Sequence, residues 1–130
     1  MSRHFDKVID FANQLALDIE HQDFDEELII VTNEEKGIYQ MVVDCEYPIL
    51  ILEQLIYRIE NKSKEHFFKL LQINRNLVHG AFTIDENGEQ VIFRDTLQLE
   101  NLDFNEFEGT INALTLGLAE YSGELLSINK

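Results

Sequence analysis

The chain has 130 residues, of which 45% are hydrophobic and 27% charged; this is one globular domain, not a disordered chain. Twenty-five acidic residues oppose ten basic ones, for a net charge of −15, and a surface of that sign repels nucleic acid backbones and anionic membranes. A single proline and a single cysteine, Cys45, exclude Pro-rich linkers, an internal disulfide framework and any multi-cysteine metal centre, and fit a reducing compartment.

The first segment is amphipathic. Phe5, Val8, Ile9, Ala12, Leu15, Ala16 and Ile19 recur at helical spacing along one arc, and Ser2 is placed to cap the helix. From Asp18 to Glu27 six of ten residues are acidic, and this run is expected to end the helix in a loop. Leu28 to Thr32 and Ile38 to Val43 read as two strands of a hairpin, joined by the polar stretch Asn33-Glu34-Glu35-Lys36-Gly37. The run Ile49 to Ile59 fits either period. As a helix it aligns Leu52, Leu55, Ile56 and Ile59; as a strand it puts Ile49, Ile51, Leu55, Tyr57 and Ile59 on one face. Pro48 and the isoleucine content favour the strand.

Ser63 is placed to cap a second helix running to about Asn74, with Phe67, Phe68, Leu70 and Leu71 on its apolar side and Ile73 outside that arc. Gly80 to Ile84 and Gln90 to about Leu99 read as two more strands around the turn Asp85-Glu86-Asn87-Gly88. Asp103 and Glu106 have the spacing of a capping box, with Leu102 and Phe107 as its hydrophobic staple. The helix they start carries Phe104, Phe107, Ile111, Leu114, Leu118, Tyr121 and Leu125 on one arc, to about Leu126. Nearly opposite lie Gly109, Ala113 and Gly117, four residues apart. Glycine inside a helix costs about 1 kcal/mol relative to alanine, so the stripe reads either as close packing by another element, such as the first helix or a second subunit, or as a neutral surface with tolerated glycines. The predicted fold is α+β: one domain over residues 1–130, ordered α-β-β-β-α-β-β-α, with an antiparallel sheet against helices.

No pattern in the chain marks a reaction. The four histidines, His4, His21, His66 and His79, form no helical metal pair. Glycine-rich phosphate loops and the nucleophile elbow are missing. Cys45 stands between Asp44 and Glu46, whose charges raise a thiol pKa, against a role as nucleophile. Asp85, Asn87, Gly88 and Glu89 fail the register of a calcium loop, because position twelve falls on Arg94. No cofactor and no catalytic or metal residues are therefore expected. No stretch is long and apolar enough to span a membrane and no secretory signal is evident, so a cytosolic protein is expected. From Arg58 to Arg75 the local charge is +3, leaving −18 on the rest of the chain. This basic strip suits an acidic partner or second subunit.

The run Leu70-Leu71-Gln72-Ile73-Asn74-Arg75-Asn76, then His79-Gly80-Ala81-Phe82-Thr83-Ile84-Asp85, Gly88 and the exit Leu97-Gln98-Leu99 resembles the YbjN family and the CesT/Tir-type chaperones of type III secretion. Leu71, Asn74, Gly80, Phe82, Asp85 and Gly88 match the shared pattern; Met1 to Ile59 match only in element order. The resemblance implies a non-enzymatic protein that binds extended segments of other polypeptides as a homodimer, in a chaperone-like or regulatory role. The expected dimer or partner surface is the second helix, with Phe67, Phe68, Leu71 and Ile73 as apolar contacts and Lys62, Lys64 and Lys69 beside them. Two other readings stand beside it: a small-molecule enzyme or ligand sensor with a pocket between sheet and helices, and a nucleic-acid-associated regulator using the basic strip of residues 58–75, which the net charge opposes.

Overall fold

A computed structural model describes residues 2–130. The elements are α1 (Arg3–Gln14), β1 (Asp18–Asp23), β2 (Leu28–Asn33), β3 (Ile38–Glu46), β4 (Ile49–Arg58), α2 (Lys64–Asn74), β5 (Ala81–Ile84), β6 (Gln90–Gln98) and α3 (Phe104–Ile128), with a single 3-10 turn at Glu34–Lys36. All six strands form one antiparallel sheet in the order β1-β2-β3-β4-β6-β5. The α+β class and the antiparallel sheet agree with the reading of the sequence, and one strand is added to it.

The added strand lies in the acidic run. The first helix stops at Gln14 rather than continuing to Ile19, Ala16 takes a positive φ of 57°, and Asp18–Asp23 turns back as an edge strand against β2. An edge strand paired on one side needs little apolar surface, and Ile19 alone packs against the core here. The charges that made the segment look like a loop are the usual dress of a sheet edge.

Alternation sets the two faces of the sheet. Ile29 and Val31, Met41 and Val43, Leu50 and Leu52, Phe82, Val91 and Phe93 point inward and are buried. The strand reading of the 49–59 run holds, but its core face is Leu50, Leu52 and Gln54, the reverse of the expected one. Ile49 and Ile51, which alternate with Leu50 and Leu52, are apolar too, so the period alone does not say which set faces in; a register irregularity between Leu55 and Tyr57 then brings Ile59 into the core.

All three helices cover the inward face. α1 lies over β1 and β2, α3 crosses β3 and β6 between the other two helices, and α2 sits beside β5. Phe5, Phe107, Ile111 and Leu114 meet the strands' inward residues in one core; burying a side chain of this size contributes roughly 1.5–3 kcal/mol. Local sequence fixes the ends. The Ser2 and Ser63 hydroxyls accept from the Phe5 and His66 amides at 3.1 and 3.2 Å, and Asp103 and Glu106 form the reciprocal capping box. Thr110 Oγ1 donates to Asp95 Oδ2 at 2.7 Å, which pins α3 to β6.

The residues that carried the family resemblance hold the α2–β5–β6 corner. Asn74, at the end of α2, accepts from the Phe82 amide at 2.8 Å and donates to the Phe82 carbonyl at 3.0 Å. Its side chain thus takes the place of a neighbouring strand at Phe82 and caps the β5 edge there. Gly80 has φ of 70°, and a Cβ there would lie 2.5 Å from the Phe93 ring, so no larger residue fits without rebuilding the corner. Asp85 Oδ1 accepts from the Glu89 and Gln90 amides at 2.8 and 3.1 Å and shapes the β5–β6 turn. Replacing Asn74 with leucine strands both Phe82 backbone groups. The expected loss is about 3 kcal/mol in urea unfolding; a loss below about 1 kcal/mol would show that Asn74 does not hold this edge.

Candidate protein-binding surface

α2 is anchored from three sides. His66 is fully buried. Its Nδ1 lies 2.7 Å from the Asn61 carbonyl, which can only accept, so Nδ1 donates there and Nε2 accepts from the Tyr57 hydroxyl at 2.7 Å. The His66 ring also stacks between Tyr57 and Phe67. Burial pushes the Tyr57 hydroxyl up to about 12, which keeps that proton in place. Lys69 Nζ pairs with Glu124 Oε1 of α3 at 2.8 Å. The end of α3 holds the chain leading into α2, because Asn129 accepts from the Glu60 amide and donates to the Arg58 carbonyl.

This anchoring decides which predicted surface residues are available. The buried side of α2 is His66, Leu70 and Ile73. Ile73, expected at the surface, is 2% exposed; the helix is rotated so that the residue outside the predicted arc faces the core, because His66 finds two hydrogen-bond partners inside. Phe68 and Leu71 point outward at 64% and 71% exposure. Phe67 is half-buried. With Leu70, Asn74, Phe82, Thr83 and Ile84 it lines a groove of about 360 Å³ between α2 and β5. Lys62 and Lys64 are exposed at the start of the helix, and Lys69 is taken by Glu124.

The stripe Gly109, Ala113 and Gly117 faces the loop between α2 and β5, not α1. A Cβ at Gly117 would lie 3.2 Å from Leu77 Cδ2, and one at Gly109 would lie 3.1 Å from His79 Nε2. Ala113 is buried beside them. Cys45 is buried on the inward face of β3, and burial, then the charges of Glu27, Asp44 and Glu46, push its thiol up to about 12.

Among the described residues no helix covers the outward face of the sheet. Its cross-strand rows follow from the pairing: Leu28–Asp44–Ile51–Thr96, Ile30–Val42–Glu53–Arg94, and Leu55–Ile92–Thr83. Most of these side chains are half-buried, and Leu55 is 53% exposed. Asp44 sits between Leu28 and Ile51, and among the described residues nothing hydrogen-bonds its buried Oδ1. Burial, then the adjoining Glu46 carboxylate, then Glu26 and Glu53, push the Asp44 carboxyl up to about 6. The sequence signal was present but unremarkable: acids at alternate positions, Asp44 and Glu46, in a strand with apolar neighbours.

The six-stranded antiparallel sheet with three helices on one face matches the fold of type III secretion chaperones. The chain belongs to the CesT_Tir_1 family, whose profile matches residues 1–130. YbjN, a candidate transcription regulator from E. coli, superposes with a TM-score of 0.70 at 9% identity, covering 92% of each chain. The Yersinia pestis type III secretion chaperone SycH, solved with a stable fragment of YscM2, gives 0.62 at 12% identity, covering 89% of this chain and 98% of that one. A chain of the HopA1–SchA chaperone–effector complex gives 0.62 at 16% identity, covering 88% of this chain and 91% of that one. Likeness at these identities establishes the fold. No curated protein matches the chain. No helix among the described residues is long and apolar enough to cross a membrane.

The charge on Asp44 has a consequence for stability. A carboxyl whose folded pKa is raised binds more protons folded than unfolded, so the contribution of Asp44 to stability is most favourable at low pH and falls as pH rises from about 4 through about 6. The groups facing Asp44 are Glu46 on β3, Glu26 on the β1–β2 turn and Glu53 on β4, which Arg94 of β6 pairs at 3.0 Å. Asp44→Asn should therefore stabilise the protein at pH 7.5 by about 1 kcal/mol, after allowing for solvent screening, and the gain should vanish near pH 4. Unfolding curves at the two pH values check this; a destabilised variant at pH 7.5 would contradict it.

Proposed function

We propose that this protein is a non-enzymatic, chaperone-like module that holds extended segments of other polypeptides and acts as a homodimer through the outer side of α2. One observation carries the reading: Phe68 and Leu71 stand exposed on a helix that buried and ionic contacts hold rigidly, beside an apolar groove ending at Ile84. Exposed apolar side chains on a fixed element mark an interaction surface, and a rigid surface loses little entropy on association. Membership of the CesT_Tir_1 family and likeness to chaperones solved with effector proteins support a protein partner.

The two edges of the sheet differ in a way that suits this role. Asn74 closes β5, whereas β1 pairs only with β2 and leaves its other side for an added strand. At the α2 surface, Lys62 and Lys64 bring positive charge to a contact between two chains that each carry −15, which reduces their mutual repulsion.

Light scattering at low and high salt tests the dimer. A particle of about twice 15.2 kDa is expected at both, since apolar contact survives screening. Phe68→Glu with Leu71→Glu should give a folded monomer, because both side chains are exposed in the single chain, with a thermal midpoint lowered only by the lost dimer stabilisation. A wild-type monomer at every concentration would refute the dimer, and a dimer unaffected by the double substitution would move it off α2.

A further inference from the structure

We propose that the uncovered sheet face is a second docking surface, and that its occupant is an extended polypeptide segment in which aliphatic side chains flank a lysine or arginine that docks at Asp44. This rests on the polypeptide-binding reading and names the chemistry of the partner.

Three observations converge on that chemistry. The first is apolar. Ile30, Val42, Ile51 and Ile92 are half-buried by their sheet neighbours alone, and Leu55 is largely open. An extended segment laid on a pleated surface presents side chains toward it at alternate positions, which matches the spacing of these rows. The second is an uncompensated charge. Asp44 lies between Leu28 and Ile51 with Oδ1 shielded and unpartnered, its other side meets the like-charged Glu46 carboxyl, and among the described residues it joins no ion pair. Half-buried carboxylates of this kind are normally paired. The third is the sign of the surroundings. Glu46, Glu26 and Glu53 face Asp44, and Arg94, the cation within these rows, is already taken by Glu53 at 3.0 Å.

The same charges select against other occupants. A second copy docking by this face would set four carboxylates against four more, and a nucleic acid or anionic lipid would meet the same repulsion. An ammonium or guanidinium placed at Asp44 and Glu46 gains a charge-assisted contact in a partly desolvated site, while its aliphatic neighbours cover Val42 and Ile51.

The test uses short synthetic peptides of alternating valine and serine with a central lysine, glutamate or norleucine, titrated by fluorescence anisotropy and mapped by backbone amide NMR shifts. The lysine peptide should bind wild type at least about tenfold more tightly than the glutamate peptide, a difference of about 1.4 kcal/mol. Its largest shifts should fall on Val42, Asp44, Ile51 and Ile92. Asp44→Asn should remove most of the preference for lysine while the variant stays folded, and Ile51→Ser should weaken all three peptides. Equal binding of the lysine and glutamate peptides, shifts confined to β1 or α2, or an absence of binding would overturn the sheet-face site. Shifts at β1 or α2 would leave the polypeptide-binding reading standing, and the oligomer measurement on the Phe68/Leu71 variant judges that reading separately.

Discussion

One-sided packing is the constraint on which the rest of this structure depends. A six-stranded sheet has two faces, and all three helices are committed to one of them by a single continuous core. α3 enforces this. It spans the sheet from β6 to β3, contacts both other helices, and its Asn129 holds the strand-to-helix connection before α2. The other face then has no cover of its own, and α2, pushed to the side by α3, keeps one side in solvent. Both exposed surfaces are consequences of where the core had to form.

These surfaces differ in chemistry. The α2 side is apolar with lysines near it, and its aromatic and leucine side chains can bury against a like surface. The sheet face is aliphatic with a carboxylate at its centre. Burial and the surrounding carboxylates raise the folded-state pKa of Asp44, so its charge at neutral pH is expected to oppose folding. A group that opposes folding and lies on an uncovered face fits a binding role better than a structural one.

Much of the fold was legible because local signals agreed with tertiary packing. Ser2, Ser63 and the Asp103/Glu106 pair each started a helix where expected, and Gly37 and the Asp85–Gly88 turn each closed a hairpin. The failures share a cause. Asp18–Asp23 was misread because an edge strand needs few apolar residues. The inward face of β4 and the orientation of Ile73 depended on partners remote in sequence, such as Tyr57 for His66, when both candidate faces were apolar. The stripe of Gly109, Ala113 and Gly117 signalled a close neighbour, but the loop that supplies Leu77 and His79 carries no pattern pointing to α3. Asp44 could not be singled out among twenty-five acids until strand pairing put it between Leu28 and Ile51.

The most direct measurement of whether the uncovered surfaces hold polypeptides is a hydrogen-exchange footprint of the protein with and without an unfolded client, for which reduced and carboxymethylated lactalbumin serves. Added protection should be concentrated in β3 and β4 on the sheet face and at the β1 edge, with α2, already covered in the dimer, and the amides of α3 beneath the core unchanged. Equal exchange with and without client, or protection gathered only around the start of α1, would contradict the claim that one-sided packing leaves this chain two surfaces for gripping other chains.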